Sequence, residues 1–206
     1  MSATATVVTV VDAANPEGEA LARAATILRE GGLVAFPTET FYGLGASAND
    51  DAAVRRVFDV KGRDESKPLL VLVDSIAMAE SLAAEVTEQA RELMASHWPG
   101  ALTLVLRARA GLPRALTAGT GTIGVRLSAH PIARGLVSAL GGPLTAPSAN
   151  LQGGAPPTTA GGVLRALDGA IDLVLDGGAT AGGPPSTVVD VTMDAPRVLR
   201  QGAVRL

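Results

Sequence analysis

The 206 residues include no cysteine, which removes disulfides, thiolate nucleophiles and Cys-ligated zinc from consideration together. Two histidines, His97 and His130, are too few for a multi-His metal cage. Aromatic residues make up only 2% of the chain, so a core must be built from Val, Leu, Ile and Ala. No apolar run approaches the ~20 residues of a membrane span. The stretch Met1 to Thr6 has no basic segment ahead of Val7–Val11, so no secretory leader is read there. The expectation is a soluble, cytoplasmic protein with no membrane partner. A net charge of −3 argues against a broad nucleic-acid-binding surface, but leaves room for a small anion in a local basic pocket.

Lysine is also scarce. Of seventeen cationic residues only Lys61 and Lys67 are lysine, and both lie in Lys61-Gly62-Arg63-Asp64-Glu65-Ser66-Lys67. A chain that otherwise uses arginine keeps two compact ammonium groups within one seven-residue segment. This spacing suits a polyphosphate clamp of two point charges and one bidentate fork. A solvated charged loop is the plain alternative.

What is abundant is hydrophobic residue (47%) and glycine (24 residues), with 13 prolines. That composition gives many turns and close backbone approaches around an aliphatic core. Expected strands are Val7–Val11, Leu33–Phe36, Leu69–Val73, Ala101–Arg107, Ile123–Leu127, Ile171–Leu175, Thr187–Val191 and Val198–Leu199, with Leu144–Pro147 extended. Helices are expected after Asn15-Pro16, after Asp50 or Asp51, as one broken or two short pieces between Ser75 and Ser96, over Pro131–Leu140, and from Thr158 or Thr159 to Leu167. Several successive strands lack an intervening helix. The fold class is therefore α+β (mixed α/β) with a mixed sheet, in a single domain over 1–206.

Polar patches fall at strand ends and beside glycines, where α/β sheets collect ligands. They are Pro37-Thr38-Glu39-Thr40-Phe41-Tyr42-Gly43-Leu44-Gly45, the Lys61–Lys67 segment, Ser148-Ala149-Asn150 and Ser186-Thr187; Arg126 and Arg200-Gln201-Gly202 add cations. Taken singly, each could be a turn, a strand end or a surface ion pair. There is no Gly-x-x-x-x-Gly-Lys-Ser/Thr loop, no dinucleotide fingerprint and no Gly-x-Ser-x-Gly elbow. Cations, hydroxyls and backbone N–H groups suit a reaction at phosphorus, where positioning and charge neutralisation supply most of the rate.

In their order, Pro-Thr-Glu-Thr-x-Tyr-Gly-Leu-Gly, Lys-Gly-Arg, Ser-Ala-Asn, Ser-Thr-Val-Val-Asp and Arg-x-Gly, these motifs resemble the YrdC-like family of threonylcarbamoyl-AMP synthases. The resemblance runs from about Val10 to Arg205 and is to the short form, without an extra C-terminal domain. It implies a twisted mixed sheet with flanking helices around a cationic cavity. It also implies a nucleotidyltransferase that makes threonylcarbamoyl-AMP and pyrophosphate from L-threonine, bicarbonate and ATP, with Mg²⁺ carried by the triphosphate. Partner proteins would then move the threonylcarbamoyl group to tRNA. By matching position, Lys61 and Arg63 would act on the phosphates as catalytic residues. Lys67, Thr122, Ser148, Asn150 and Arg200 would hold ATP, and Thr40, Arg126 and Ser186 would hold L-threonine; no metal ligand is implied. Leu72, Ala146 and Pro156 depart from the pattern, standing where some relatives carry histidine, a hydroxyl residue and serine. Two other readings remain: a double-stranded RNA-binding module without catalysis, its binding local and weak, and a carbamoyl-transfer module.

Overall fold

The computed structural model describes residues 5–206, so the first four residues of the segment read as lacking a leader lie outside the described residues. In chain order the elements are β1 (Val7–Val10), α1 (Gly18–Arg29), β2 (Val34–Pro37), β3 (Tyr42–Gly45), α2 (Asp51–Lys61), β4 (Leu70–Leu72), α3 (Ile76–Leu82), α4 (Glu88–His97) and β5 (Leu102–Arg107). There follow α5 (Arg114–Thr117), β6 (Thr122–Arg126), α6 (Pro131–Leu140), β7 (Leu144–Thr145), α7 (Ala160–Leu167), β8 (Leu173–Asp176), β9 (Thr187–Asp190) and β10 (Arg197–Arg200).

The expected mixed sheet is present, as two sheets. One has the order β1-β8-β2-β3 and the other β10-β9-β5-β6-β4-β7, each with parallel and antiparallel neighbours. A seam joins them. Gly43 bridges Ser148 and Ser47 bridges Leu144, and backbone bonds from Leu44 N to Pro147 O (2.8 Å) and Ala149 N to Tyr42 O (2.9 Å) extend the pairing. The whole is nearly a continuous ribbon, with β3 and the 143–149 stretch at its middle.

The inner strands of the smaller sheet, β2 and β8, are buried on both faces, whereas the edge strand β1 is largely exposed. Val34 and Phe36 of β2 pack with Leu173 and Leu175 of β8 against α1 and α6, through Leu21, Leu28, Ile132 and Leu136. Leu33, Ala35 and Val174 face the main core on the other side. A strand covered on both sides needs apolar residues at every position, which is why these runs do not alternate. Gly135 lets α6 close onto α1, since a Cβ there would sit 2.7 Å from Leu21 Cδ1.

The expected helix at Asn15-Pro16 begins later, at Gly18. Asn15 and Pro16 lie in a bend in which Asp12 Oδ1 accepts the Ala14 N–H at 2.8 Å, and Glu17 precedes the first helical residue without a side-chain cap. Asp50 caps α2, accepting from Ala52 N and Ala53 N. Gly62 ends that helix at φ 58°, a left-handed turn that favours glycine. Two elements escape the sequence reading. β3 is short and half glycine, because a Cβ at Gly45 would meet Leu144 Cδ1 and Phe36 Cε1 at 2.9 Å. α5 is a single turn.

Candidate active site

Alternation along the larger sheet creates the site. Leu104 and Leu106 of β5, Ile123 and Val125 of β6, and Val71 of β4 point into the main core. The residues between them, Thr103 and Val105, Thr122, Gly124 and Arg126, and Leu70 and Leu72, line a cavity of about 490 Å³ on the opposite face. Tyr42 and Gly43 from the seam, Arg63 after α2, Ser148, Ser186, Leu199 and Arg200 complete its walls. Gly124 leaves the floor open at its centre. The cavity is thus cationic in part and apolar in part, and the three departures Leu72, Ala146 and Pro156 all contribute to the lining.

Of the ten residues expected in a site, seven line this cavity: Thr40, Arg63, Thr122, Arg126, Ser148, Ser186 and Arg200. Three are placed elsewhere. Lys67 is exposed, on the turn after Asp64. Lys61 turns inward from the last turn of α2 and is 4% exposed. Its ammonium donates to the backbone carbonyls of Ser148 and Asn150, the latter at 2.5 Å. Burial, and secondarily the neighbouring Arg63, push its pKa down from 10.5 to about 8, which still leaves it mostly protonated at neutral pH. Asn150 spends its amide nitrogen on Leu151 O (2.8 Å) and Gly154 O (2.7 Å), and its Oδ1 is buried without a partner. Ahead of ligand contact, then, Lys61 and Asn150 build the Ser148–Asn150 turn; the clamp of two phosphate-facing lysines is not the arrangement found.

The three cavity arginines differ in their company. Arg63 follows the left-handed Gly62; its Nη2 donates to Pro68 O at 3.1 Å while its buried Nε has no partner. Burial lowers its pKa, against the pull of Asp64. Arg200 donates to Ser186 O from Nε (3.2 Å) and Nη2 (2.9 Å) and to Ser186 Oγ (3.2 Å). Its pKa is lowered by burial and then by Arg126, so these two like charges sense each other across the cavity. Gly202 lets the chain pass directly over Pro185 and Ser186, where a Cβ would collide with their backbone. Thr187 Oγ1 then accepts from Gly202 N (3.0 Å) and Val204 N (3.1 Å), which fixes the Arg200 strand against β9.

Arg126, 3% exposed, donates from Nε to Gly100 O at 3.0 Å. Its Nη2, itself buried, lies 2.7 Å from Glu39 Oε1 in an ion-pair contact. Glu39 also accepts from Ser128 Oγ and from Ala129 N (3.2 Å). Burial alone would push the Glu39 carboxyl up; Arg126 and these donors outweigh it and hold it below the usual value. Burial lowers the nearby His130, against the pull of Glu39, and its Nδ1 accepts Ile132 N at the start of α6.

The sequence reading placed Thr38 and Glu39 in a polar patch without giving either a ligand, and it did not single out Thr103. Thr38 Oγ1 lies 3.1 Å from Thr40 Oγ1, and Thr103 Oγ1 lies 2.9 Å from Ser186 Oγ. A signal for Thr103 existed: it is the one hydroxyl in the apolar strand Leu102–Leu106, in phase with Val105 and out of phase with the core leucines. The Gly/Pro stretch 177–185 crosses beside Thr40, whose carbonyl accepts from Thr180 Oγ1 and Gly182 N, each at 2.9 Å. Tyr42 OH donates to Gly178 O at 2.7 Å and sits by Asp176; burial, then Asp176, raise its pKa. Among the described residues no group of three or more His, Asp or Glu is arranged to hold a metal ion, and no helix is long and apolar enough to cross a membrane.

Comparison with known proteins gives a consistent set of relatives. The family model Sua5_yciO_yrdC, described as "Telomere recombination", matches residues 26–202. A threonylcarbamoyl-AMP synthase of Pyrococcus abyssi (strain GE5 / Orsay) is 46% identical over 183 residues, 89% of this chain and 54% of that protein. One of Bacillus subtilis (strain 168) is 43% identical over 198 residues, 96% of this chain and 57% of that protein. The chain therefore spans a little over half the length of these two curated relatives. Among solved structures, P. abyssi Sua5 complexed with L-threonine superposes with a TM-score of 0.92 at 44% identity, over 96% of this chain and 58% of that one. E. coli YciO superposes with a TM-score of 0.87 at 28% identity, over 96% of both chains.

Proposed function

The chain belongs to the Sua5–YciO–YrdC family, and from that premise we propose that it is an L-threonylcarbamoyladenylate synthase, a nucleotidyltransferase that converts L-threonine, bicarbonate and ATP to threonylcarbamoyl-AMP and pyrophosphate. The observation that carries this reading is the lining of the cavity. Its hydroxyls and arginines stand on a fold that, in a relative 44% identical, was solved with L-threonine. The threonine amine and bicarbonate condense to a carbamate as an N–C bond forms, a C–O bond breaks and water leaves. A carbamate oxygen then forms a bond to the α-phosphorus of ATP as the bridging bond to the β-phosphate breaks, and pyrophosphate leaves.

The residues divide the work by chemistry. Arg126, with neighbouring hydroxyls, suits the amino-acid carboxylate, flanked by Thr40 and Ser186. Arg63 and Arg200 suit the phosphates, where charge develops on the leaving pyrophosphate. Thr122 and Ser148 offer short polar contacts beside close backbone for the nucleotide. Lys61 and Asn150 serve it from behind, by shaping the turn that presents Ser148. Lys67, exposed at the rim of this segment, could meet the triphosphate only through movement of its side chain. Mg²⁺ would arrive on the triphosphate. The product would pass to proteins that modify tRNA, in the cytoplasm.

Measuring pyrophosphate release from ATP tests the reading. Release should require Mg²⁺, bicarbonate and L-threonine together. Equal release without threonine would refute it. Affinity for duplex RNA that falls steeply with salt, with no pyrophosphate formed, would instead favour the RNA-binding alternative.

A further inference from the structure

The cavity's three arginines are not equally charged in effect. Among the described residues, neither Arg63 nor Arg200 has a carboxylate within ion-pair distance, whereas Arg126 is paired with Glu39 at 2.7 Å. Glu39 does not line the cavity; it stands behind Arg126, held by Ser128 Oγ and Ala129 N. The carboxylate is thus fixed in place, with Arg126 from β6 and His130 at the head of α6 as the charged or titratable groups that face it.

Two effects follow from this placement. The pair fixes the Arg126 guanidinium, already tied to Gly100 O. It also offsets part of the positive charge at that end of the cavity. Repulsion scales with the product of charges, so a phosphate dianion near Arg126 meets Glu39 at twice the cost borne by a single carboxylate. Specificity of this kind is obtained by burdening the wrong ligand rather than by improving the right one.

We propose that Glu39 is a specificity-determining, positioning residue that keeps phosphate away from Arg126, so that the Arg126 end of the cavity takes a monoanionic carboxylate and the polyphosphate goes to Arg63 and Arg200. The proposal rests on the reading of Arg126 as the carboxylate's partner. It goes further by assigning the sorting of two anionic substrates to one partly buried acid.

The probe is inorganic phosphate, followed through the arginine Nε–Hε resonances of ¹⁵N-labelled protein, assigned by substitution. In the wild type, phosphate should shift Arg63 and Arg200 and leave Arg126 unmoved. In Glu39→Gln, Arg126 should respond as well, with a phosphate affinity at that end raised at least about tenfold, the value of one unopposed charge-assisted contact. Glu39→Asp, which keeps the charge, should behave like the wild type. In turnover, phosphate should become competitive with L-threonine in Glu39→Gln only. A response of Arg126 in the wild type, or none in Glu39→Gln, would overturn the proposal. Should Glu39→Gln fail to fold, Ser128→Ala loosens the same carboxylate without touching the pair. There, a smaller response of Arg126 supports the idea and an unmoved Arg126 overturns it. Pyrophosphate release without threonine would overturn the functional reading separately, and the resonances would still decide the role of Glu39.

Discussion

Replacing Lys61 by methionine would separate the cost of a buried charge from the worth of its bonds. The ammonium is 4% exposed and its pKa falls from 10.5 to about 8, so holding it ionised near neutral pH costs about 3 kcal/mol. Against this stand its bonds to Ser148 O and Asn150 O, each worth roughly 1.5–3 kcal/mol from a charged donor. Lys61→Met keeps the volume, removes the cost and loses both bonds. The net destabilisation should be about 0–3 kcal/mol, a fall in Tm of no more than roughly 10 °C. The damage should instead be local. Amide hydrogen exchange at Ala149–Leu151 should accelerate well beyond the global change, and nucleotide affinity should fall, because Ser148 is no longer held at the cavity wall. A pH series adds a sign test. Between about pH 8 and 10.5 the unfolded chain holds a proton on Lys61 that the folded chain has released, so this group makes the wild type more stable as pH rises. Lys61→Met should lack that slope. Global destabilisation above about 5 kcal/mol, or unchanged exchange at Ala149–Leu151, would refute the reasoning.

The other substitutions address the floor and the ion pair. Gly124→Leu should preserve folding, since a Cβ there meets only Thr103 Cγ2 at 3.5 Å and Leu70 Cα at 3.9 Å, yet it should abolish ligand binding by filling the cavity; calorimetric titration with L-threonine and with an ATP analogue checks this. Arg126→Met strands the partly buried Glu39 and should cost roughly 2–4 kcal/mol at pH 7, less than a fully enclosed pair. Because Glu39 titrates below its ordinary value when paired, the wild-type advantage should be full above about pH 4.5 and vanish as pH falls through the lower folded value; denaturant melts at several pH values would show it, and adding Glu39→Gln to Arg126→Met should restore most of the loss.

The sequence was most legible where one rule acts alone. Asp50 before α2, Pro131 and Gly141 around α6, and Thr159 before α7 mark helix ends by local hydrogen bonding and backbone conformation, and the structure uses all of them. The cavity arginines and hydroxyls could be named from motifs. Their orientation could not, because it depends on partners distant in sequence: Lys61 on Ser148, Arg126 on Glu39, Arg200 on Ser186. Asn15-Pro16 carries the signs of a helix start, but Asp12 closes a bend first. In β3 the glycines that look like turn residues are there because Phe36 and Leu144 leave no room for more.

The parallel pairing of Val7–Val10 with Leu173–Asp176 sets a timetable for synthesis. β2 also waits for β8, through Val34 and Ala35. At ribosomal rates of about 5–20 residues per second, the first strand emerges on the order of ten to thirty seconds before the segment that completes it. During that interval its valines are an open template for other chains. Val10 remains 78% exposed even after pairing. Slow translation should therefore lower the soluble yield of this protein more than its final stability would suggest, and chaperone capacity should matter most before β8 appears.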